Sequence, residues 1–250
     1  MSENNFKQKI SVVLTASRDE ENIKQIVENY SFADEIIFLV KSNKITAKNN
    51  LEAALGIKII ACDFEDLLNQ QKYAAEQSRN DWIIFTNDNN SISKELKIEI
   101  GALLEKSTSK LTFYVKEDFF FMGKKIKFGG YKNKQKLFLF NKNYFLEPKQ
   151  QGENITFLKN TICDYEAITF DDYNDKLSLE SGLKAKTFYS KNLKPTFYHL
   201  LILPIIHFFK HFIIKFGFLD GKEGFILAYI NSFATLKCYL QLWLMYRDID

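Results

Sequence analysis

Four short β-branched apolar runs, spaced by stretches of helical periodicity, fill the N-terminal part of the chain and leave few folds open to it. "KISVVLTA" (9–16), "DEIIFLV" (34–40), "GIKIIAC" (56–62) and "DWIIFTN" (81–87) read as strands. Between them "EENIKQIVENY" (20–30), residues 44–55 and "EDLLNQQKYAAEQS" (65–78) carry apolar residues at helical spacing. Strands that are apolar on both faces and alternate with helices form a parallel sheet covered on both sides. The expected class is therefore α/β. In such sheets the binding crevice lies at the carboxyl ends of the strands, which singles out residues 15–21, 41–46 and 86–90. The last of these is a polar cluster in which Asp88 is the sole carboxylate beside Thr86, Asn87, Asn89 and Asn90.

Past a helix beginning near Ser93 the pattern changes. "LTFYVKEDFFFMGKKIKFGG" (111–130) and "KQKLFLFNKN" (134–143) read as strands of a mixed or antiparallel extension. The segment "GKKIKFGGYKNKQK" (123–136) holds six lysines and no acid. Two readings stay open for it: a lysine-protected sheet edge, or a cradle for a phosphate-bearing ligand. Nucleic acid is excluded as a partner. The net charge of +3 is small, and the only arginines are Arg18, Arg79 and Arg247, too few for bidentate phosphate or base recognition. Cys62, Cys163 and Cys238 lie far apart and show no metal-ligand spacing, so they read as reduced thiols. The polar start "MSENNFKQK" lacks the apolar core of a secretory signal, and a cytoplasmic location is expected.

The C-terminal part is more apolar. In "YHLLILPIIHFFKHFIIKFGF" (198–218), His207, Lys210, His211 and Lys215 fall on one helical face. A broad apolar surface remains, as expected for a helix lying in a membrane interface with lysines toward anionic headgroups. "GFILAYINSFATLKCYLQLWLMY" (224–246) reaches spanning length only by tolerating Asn231, Lys237 and Gln241. Packing against the rest of the protein, peripheral attachment and a span are all open to it. His207 and His211 have the spacing of a metal pair, but with no acid or cysteine close by they read as interfacial.

Four stretches resemble family-2 glycosyltransferases with the GT-A fold. "ISVVLTASRDEEN" (10–22) is similar to their first strand and loop, and "FADEIIFLV" (32–40) to their second strand. "YAAEQSRNDWIIFTNDNNSISKEL" (73–96) resembles the helix, fourth strand and metal-binding turn. "KFGFLDGKEGFILAYINSFATLKCYLQLW" (215–243) resembles the tail of bacterial enzymes that add a hexose to the lipopolysaccharide inner core. The resemblance implies a Rossmann-like nucleotide-diphospho-sugar transferase sheet over residues 1–195, helices on both its faces, and an amphipathic helical membrane-associating tail over 196–250. It also implies a UDP-sugar donor, Mg²⁺ or Mn²⁺, and a lipid-linked glycan acceptor at the inner face of the cell membrane.

Carried onto this sequence, the donor site comprises Thr15, Ala16, Ser17, Arg18, Asp19, Glu20 and Glu21, with Lys41 and Asn87. The family's Asp-x-Asp metal motif corresponds to Asn87, Asp88 and Asn89, so Asp88 and Asn89 are the metal candidates, and weak or absent metal binding is expected. Lys41 stands where the family has a nucleotide-reading aspartate; Lys134, Lys136 and Phe138 replace its catalytic-region aspartate and Gln-x-Arg. No His-Glu pair occurs between Pro148 and Phe157, and Asp164 stands where relatives often have histidine. An active enzyme on this pattern uses lysines in place of the cation at the departing diphosphate. Its catalytic candidates are Asp88, Lys134 and Lys136, with Glu20 and Glu117 as further bases for the acceptor hydroxyl. The alternative is a non-catalytic binding or scaffold protein that keeps the fold and the tail.

Overall fold

The computed structural model describes residues 8–15, 23–42, 54–64, 66–105, 111–146, 155–167 and 170–247. Strands β1 (Ile10–Thr15), β2 (Glu35–Val40), β3 (Lys58–Ala61) and β4 (Trp82–Asn87) run parallel in the order β3-β2-β1-β4. After the short β5 (Asn90–Ile92) come β6 (Thr112–Phe121), β7 (Lys124–Lys125), β8 (Gln135–Asn141) and β9 (Ile155–Ala167). β8 pairs antiparallel with both β4 and β6, and β5 pairs antiparallel with β9. The class is α/β, and a parallel sheet continued by antiparallel strands is the GT-A arrangement that the resemblance implied.

The chain divides into two compact units, Met1–Glu117 with Lys134–Asp164, and Asp118–Asn133 with Tyr165–Asp250. In the first, β1 is the central strand, and its side chains alternate between two cores. Ile10, Val12 and Leu14 join Ile26 of α1 (Ile23–Asn29) with Leu96 and Ile100 of α3 (Lys94–Glu105). Val13 joins Ala74 and Ala75 of α2 (Leu67–Gln77) on the opposite face. Burying both faces of a β-branched strand stabilises by about 1.5–3 kcal/mol per large side chain, which is why these runs carry almost no polar residue. Two helix starts are fixed by side-chain caps: Asp66 Oδ1 accepts the Asn69 N–H at 2.8 Å, and Ser93 Oγ accepts the Leu96 N–H at 3.1 Å, each worth about 1 kcal/mol. α4 (Asn143–Leu146) is a single turn after β8.

The second unit is built on α5 (Phe170–Ser190) and α7 (Lys222–Met245). The polar residues of α7 serve its packing. Asn231 Nδ2 donates to Tyr131 Oη at 2.9 Å, Tyr131 Oη lies 2.8 Å from Tyr173 Oη, and Lys237 Nζ donates to Ser178 Oγ at 2.7 Å. Among the described residues no helix is long and apolar enough to cross a membrane.

Residues 198–218 depart from the single amphipathic helix that their pattern suggests. A π-helical turn (Tyr198–Ile202), α6 (Leu203–Phe209) and a second π turn (Lys210–Ile214) end at Phe216, in left-handed backbone at φ 58°. The histidines also face the other way from the interfacial reading. His207 and His211 are turned inward, within 3.2 Å of Thr235 Oγ1 and 2.8 Å of the Gly129 carbonyl. The apolar Leu201, Ile205, Phe209 and Ile214 are exposed instead. The two imidazoles are satisfied inside the unit, and apolar side chains of this segment face outward together with Lys210.

Candidate functional site

Parallel pairing brings the carboxyl ends of β1, β2 and β4 to one edge of the sheet. Thr15 stands opposite both Leu39 and Asn87 in register, and Lys41 follows β2 directly. Thr15, Lys41 and Asn87 therefore share this edge as expected from the sequence, whereas Ala16, Ser17, Arg18, Asp19, Glu20 and Glu21 lie outside the described residues. The stretch 148–157 is described only from Ile155 onward.

The polar turn after β4 is held by its own atoms. The Asp88 N–H donates to the Thr15 carbonyl at 3.2 Å, and the Asn89 N–H donates to Asn87 Oδ1 at 3.2 Å, closing an Asx turn. Asp88, Asn89 and Asn90 are all buried. Thr86 Oγ1 donates to Asn90 Oδ1 at 3.0 Å, and Tyr30 Oη donates to the Asn90 carbonyl at 3.1 Å. Burial holds the Tyr30 phenol protonated far above its ordinary range; the Thr86 hydrogen bond opposes this and the Asp88 charge adds to it. Nothing in "VENY" marks Tyr30 as anything but the last apolar residue of a helix.

Lys136 is not a bare cation. It forms an ion pair with Glu117 at 2.7 Å, both side chains being four-fifths buried or more, and also donates to Asn90 Oδ1. Glu117, Lys136, Asn90 and Thr86 thus form one connected polar chain beside the Asp88 turn. Lys134 is exposed in the turn before β8, and its carbonyl accepts the Glu117 N–H at 2.9 Å. Asp164 is buried opposite Asn90 in the β5–β9 ladder.

Lys41 has an acid beside it that the sequence reading did not single out. Asp63, just past β3, accepts from the Ser42 hydroxyl at 2.5 Å and the Ser42 N–H at 3.0 Å. The Ser42 hydroxyl, then its amide and the Lys41 charge, hold the Asp63 carboxyl below the usual range. The strand-end rule that selected 41–46 applies equally to the residue after β3, so the signal was present.

At the metal-motif positions the described donors are one carboxylate, Asp88, and the amides of Asn87 and Asn89. Among the described residues no group of three or more His, Cys, Asp or Glu side chains is placed to hold a metal. At the metal-motif positions only Asp88 supplies charge, and Asn87 Oδ1 is already engaged in the turn. Asn89 Oδ1 is a buried acceptor with no partner among the described residues. The Glu117–Lys136 pair also permits a direct stability test. Lys136→Met, which leaves the largely buried Glu117 without its cation, is expected to cost about 3 kcal/mol in urea unfolding. Lys136→Met/Glu117→Leu, which removes both charges, should recover most of that loss.

No family model matches the chain. A curated Rickettsia bellii protein described as an uncharacterized glycosyltransferase is 23% identical over 245 residues, spanning 90% of this chain and 83% of that one. Among solved structures, the Pyrobaculum calidifontis mannosyltransferase PcManGT, in complex with GDP-Man and Mn²⁺, aligns over 99% of this chain and 77% of its own at 8% identity and TM-score 0.45. S. aureus TarS aligns over 96% and 91% at 10% identity and TM-score 0.43. A Leptospira borgpetersenii cytidylyltransferase aligns over 77% and 100% at 12% identity and TM-score 0.44.

Proposed function

We propose that this chain is a nucleotide-sugar protein of glycosyltransferase type that places a UDP-hexose at the carboxyl edge of β1, β2 and β4 for transfer to a lipid-linked glycan of the lipopolysaccharide-core kind. The observation that carries this reading is the largely buried Glu117–Lys136–Asn90 chain beside the Asp88 turn. It sets a cation and a carboxylate side by side at the edge where such sheets bind nucleotides. The likeness to the Rickettsia bellii glycosyltransferase over nine-tenths of the chain supports the same class.

No step is assigned to a metal. Thr15, Ala16, Ser17, Arg18, Glu20, Lys41 and Asn87 form the donor site. Lys134 and Lys136 counter the charge that develops on the departing diphosphate. For Lys136 this means exchanging Glu117 for the diphosphate, which leaves the Glu117 carboxylate as a proton acceptor for the incoming hydroxyl. A second reading, a binding protein without turnover, is favoured by the closed Asx turn at Asn87 and by the neutralised Lys136.

Calorimetry with UDP-glucose, with and without Mn²⁺, tests the site. Binding that changes less than about threefold on adding metal is expected, and absence of UDP-sugar binding would reject the reading. Release of UDP in the presence of a lipopolysaccharide-core acceptor separates transfer from binding alone.

The tail, residues 196–250, is assigned to the inner face of the cell membrane. Its support is the apolar surface of Leu201, Ile205, Phe209 and Ile214, with Lys210 also exposed. Ile205→Ser/Phe209→Ser/Ile214→Ser removes apolar area at positions about half exposed or more, outside the buried core, so the fold should persist. Flotation with anionic vesicles is expected to fall at least tenfold; undiminished flotation would leave the attachment without basis.

A further inference from the structure

The second unit contains a cavity of about 370 Å³ between α5, α6 and α7, remote in sequence from the strand-end residues. That volume is within the range of small-ligand sites. Its wall is divided. Leu177, Phe188 and Leu203 supply hydrocarbon, while Lys184 brings positive charge and His207 and His211 bring imidazoles to the same space. We propose that this cavity binds a phosphate group carried on a hydrocarbon chain.

The hydrogen-bond directions fix what the imidazoles offer. A carbonyl can only accept, so His211 must donate from Nδ1 to Gly129 O. The Thr235 hydroxyl donates to the Asn231 carbonyl at 3.1 Å, so at 3.2 Å from His207 Nδ1 its oxygen is left to accept. His211 therefore carries its proton on Nδ1 and keeps Nε2 as the basic nitrogen, and His207 takes the same tautomer when the Thr235 hydroxyl donates to Asn231. The ring centroids are 6.0 Å apart. With no third ligand beside them among the described residues, the pair suits proton uptake next to an anion better than metal binding.

The surrounding charge is mainly positive. Burial and then Lys210, Lys215 and Lys184 hold His207 below its ordinary range. Burial, Lys215, His207 and Lys210 do so for His211, against the opposing Gly129 bond. Glu180, the acid on the cavity wall, lies 3.7 Å from both Lys176 and Lys184. On the other side of His211, Asp220 takes the Lys127 and Phe128 amides. From α7, Cys238 and Tyr239 face the cavity and burial keeps both protonated, while Lys237 is turned to Ser178. An anion entering here meets excess positive charge and converts two neutral imidazoles into cations.

The linkage follows. A bound monoanion raises the pKa of His207 and His211, so affinity grows as pH falls through the ordinary histidine range. Only three histidines occur in the chain, which makes them separable reporters in the full-length protein. Histidine-labelled protein is titrated by NMR with dihexanoylphosphatidylglycerol, whose single charge is constant between pH 5.5 and 8.5. Saturable binding is expected, with His207 and His211 each rising by about one pKa unit, His199 unmoved, and affinity about tenfold tighter per imidazole at the acid end. Dihexanoylphosphatidylcholine and inorganic phosphate should each bind at least tenfold more weakly. Lys184→Glu changes a side chain that is 65% exposed, so the fold should hold while affinity falls at least tenfold. Farnesyl phosphate at fixed pH assigns the source: tighter binding than the glycerolipid indicates a prenyl-linked phosphate, weaker binding a headgroup, and either supports the site. Unmoved His207 and His211 titrations, equal affinity for the choline lipid or for inorganic phosphate, or an unchanged Lys184→Glu protein would overturn it. The cavity lies wholly within the second unit, so this result and that of the UDP-sugar test fail or succeed separately.

Discussion

Gly224→Ala is expected to unfold the second unit near physiological temperature. A Cβ at Gly224 would sit 1.9 Å from the Gly217 carbonyl oxygen, 3.0 Å from its carbon and 3.1 Å from Asp220 Cβ. The first two are backbone atoms, so no rotamer change relieves the contact. Gly217 is equally constrained, its own Cβ position lying 2.6 Å from the His211 carbonyl oxygen. Around them Gly221 turns the chain at φ 70°, and the buried Asp220 carboxylate receives the amides of Lys127 and Phe128. Overpacking costs about 1–3 kcal/mol where side chains can give way and more where they cannot. A loss above about 3 kcal/mol is therefore expected, a large part of a typical folding stability of roughly 5–15 kcal/mol. Thermal unfolding followed by circular dichroism should show a fall of roughly 6–12 °C or more. Gly123→Ala is the control: its φ is 78° but nothing lies within 4 Å of the added carbon, so only the conformational cost of about 1 kcal/mol should appear. Equal effects at the two glycines would show that contact with Gly217 is not what requires Gly224.

That result bears on how much the sequence disclosed. The four strands through Asn87 and the helices α1 and α2 were legible because fully buried β-branched runs and amphipathic helices have distinct periods; the helix expected over 44–55 falls almost wholly outside the described residues. β9 and α5 were not. β9, "ITFLKNTICDYEA", mixes polar and apolar residues without strict alternation, and α5 is polar on much of its surface because only one face packs on α7. The inward turn of His207 and His211 was also hidden, since a helical wheel shows which residues share a face but not which way the face points. "KFGFLDGKEGF" stood out through its resemblance, and packing and turn geometry account for its Gly217, Asp220, Gly221 and Gly224. At the strand ends the polar cluster was visible, but its pairing was not. Lys136 reads as one of six lysines in a basic run; only the β6–β8 register, Val115 opposite Lys136, brings it to Glu117. Periodicity locates the edge of a site, and long-range register decides which charges there are already spent on each other.

Asn87→Asp/Asn89→Asp should create a divalent-metal site where the natural chain has a neutral turn. With UDP present, Mn²⁺ affinity is expected to rise at least tenfold, because affinity for hard cations follows the number of anionic oxygens. The two positions contribute differently. At 87 the new carboxylate can keep the acceptor role toward the Asn89 N–H, now 3.2 Å long, so Asn87→Asp alone should be nearly neutral for stability. At 89 the carboxylate replaces a buried amide oxygen that accepts nothing from the described residues, and it lies next to buried Asp88. Without metal it is a poorly solvated charge beside another, costing on the order of 2 kcal/mol or more. Metal binding should then raise the thermal midpoint of the double variant toward or above that of the natural protein, a readout independent of turnover. The natural chain should show little Mn²⁺-dependent stabilisation. Tight Mn²⁺ binding by the natural chain, abolished by Asp88→Ala, would show that one carboxylate with amide oxygens suffices here. The strand-end site would then have kept its metal while losing two of its charges.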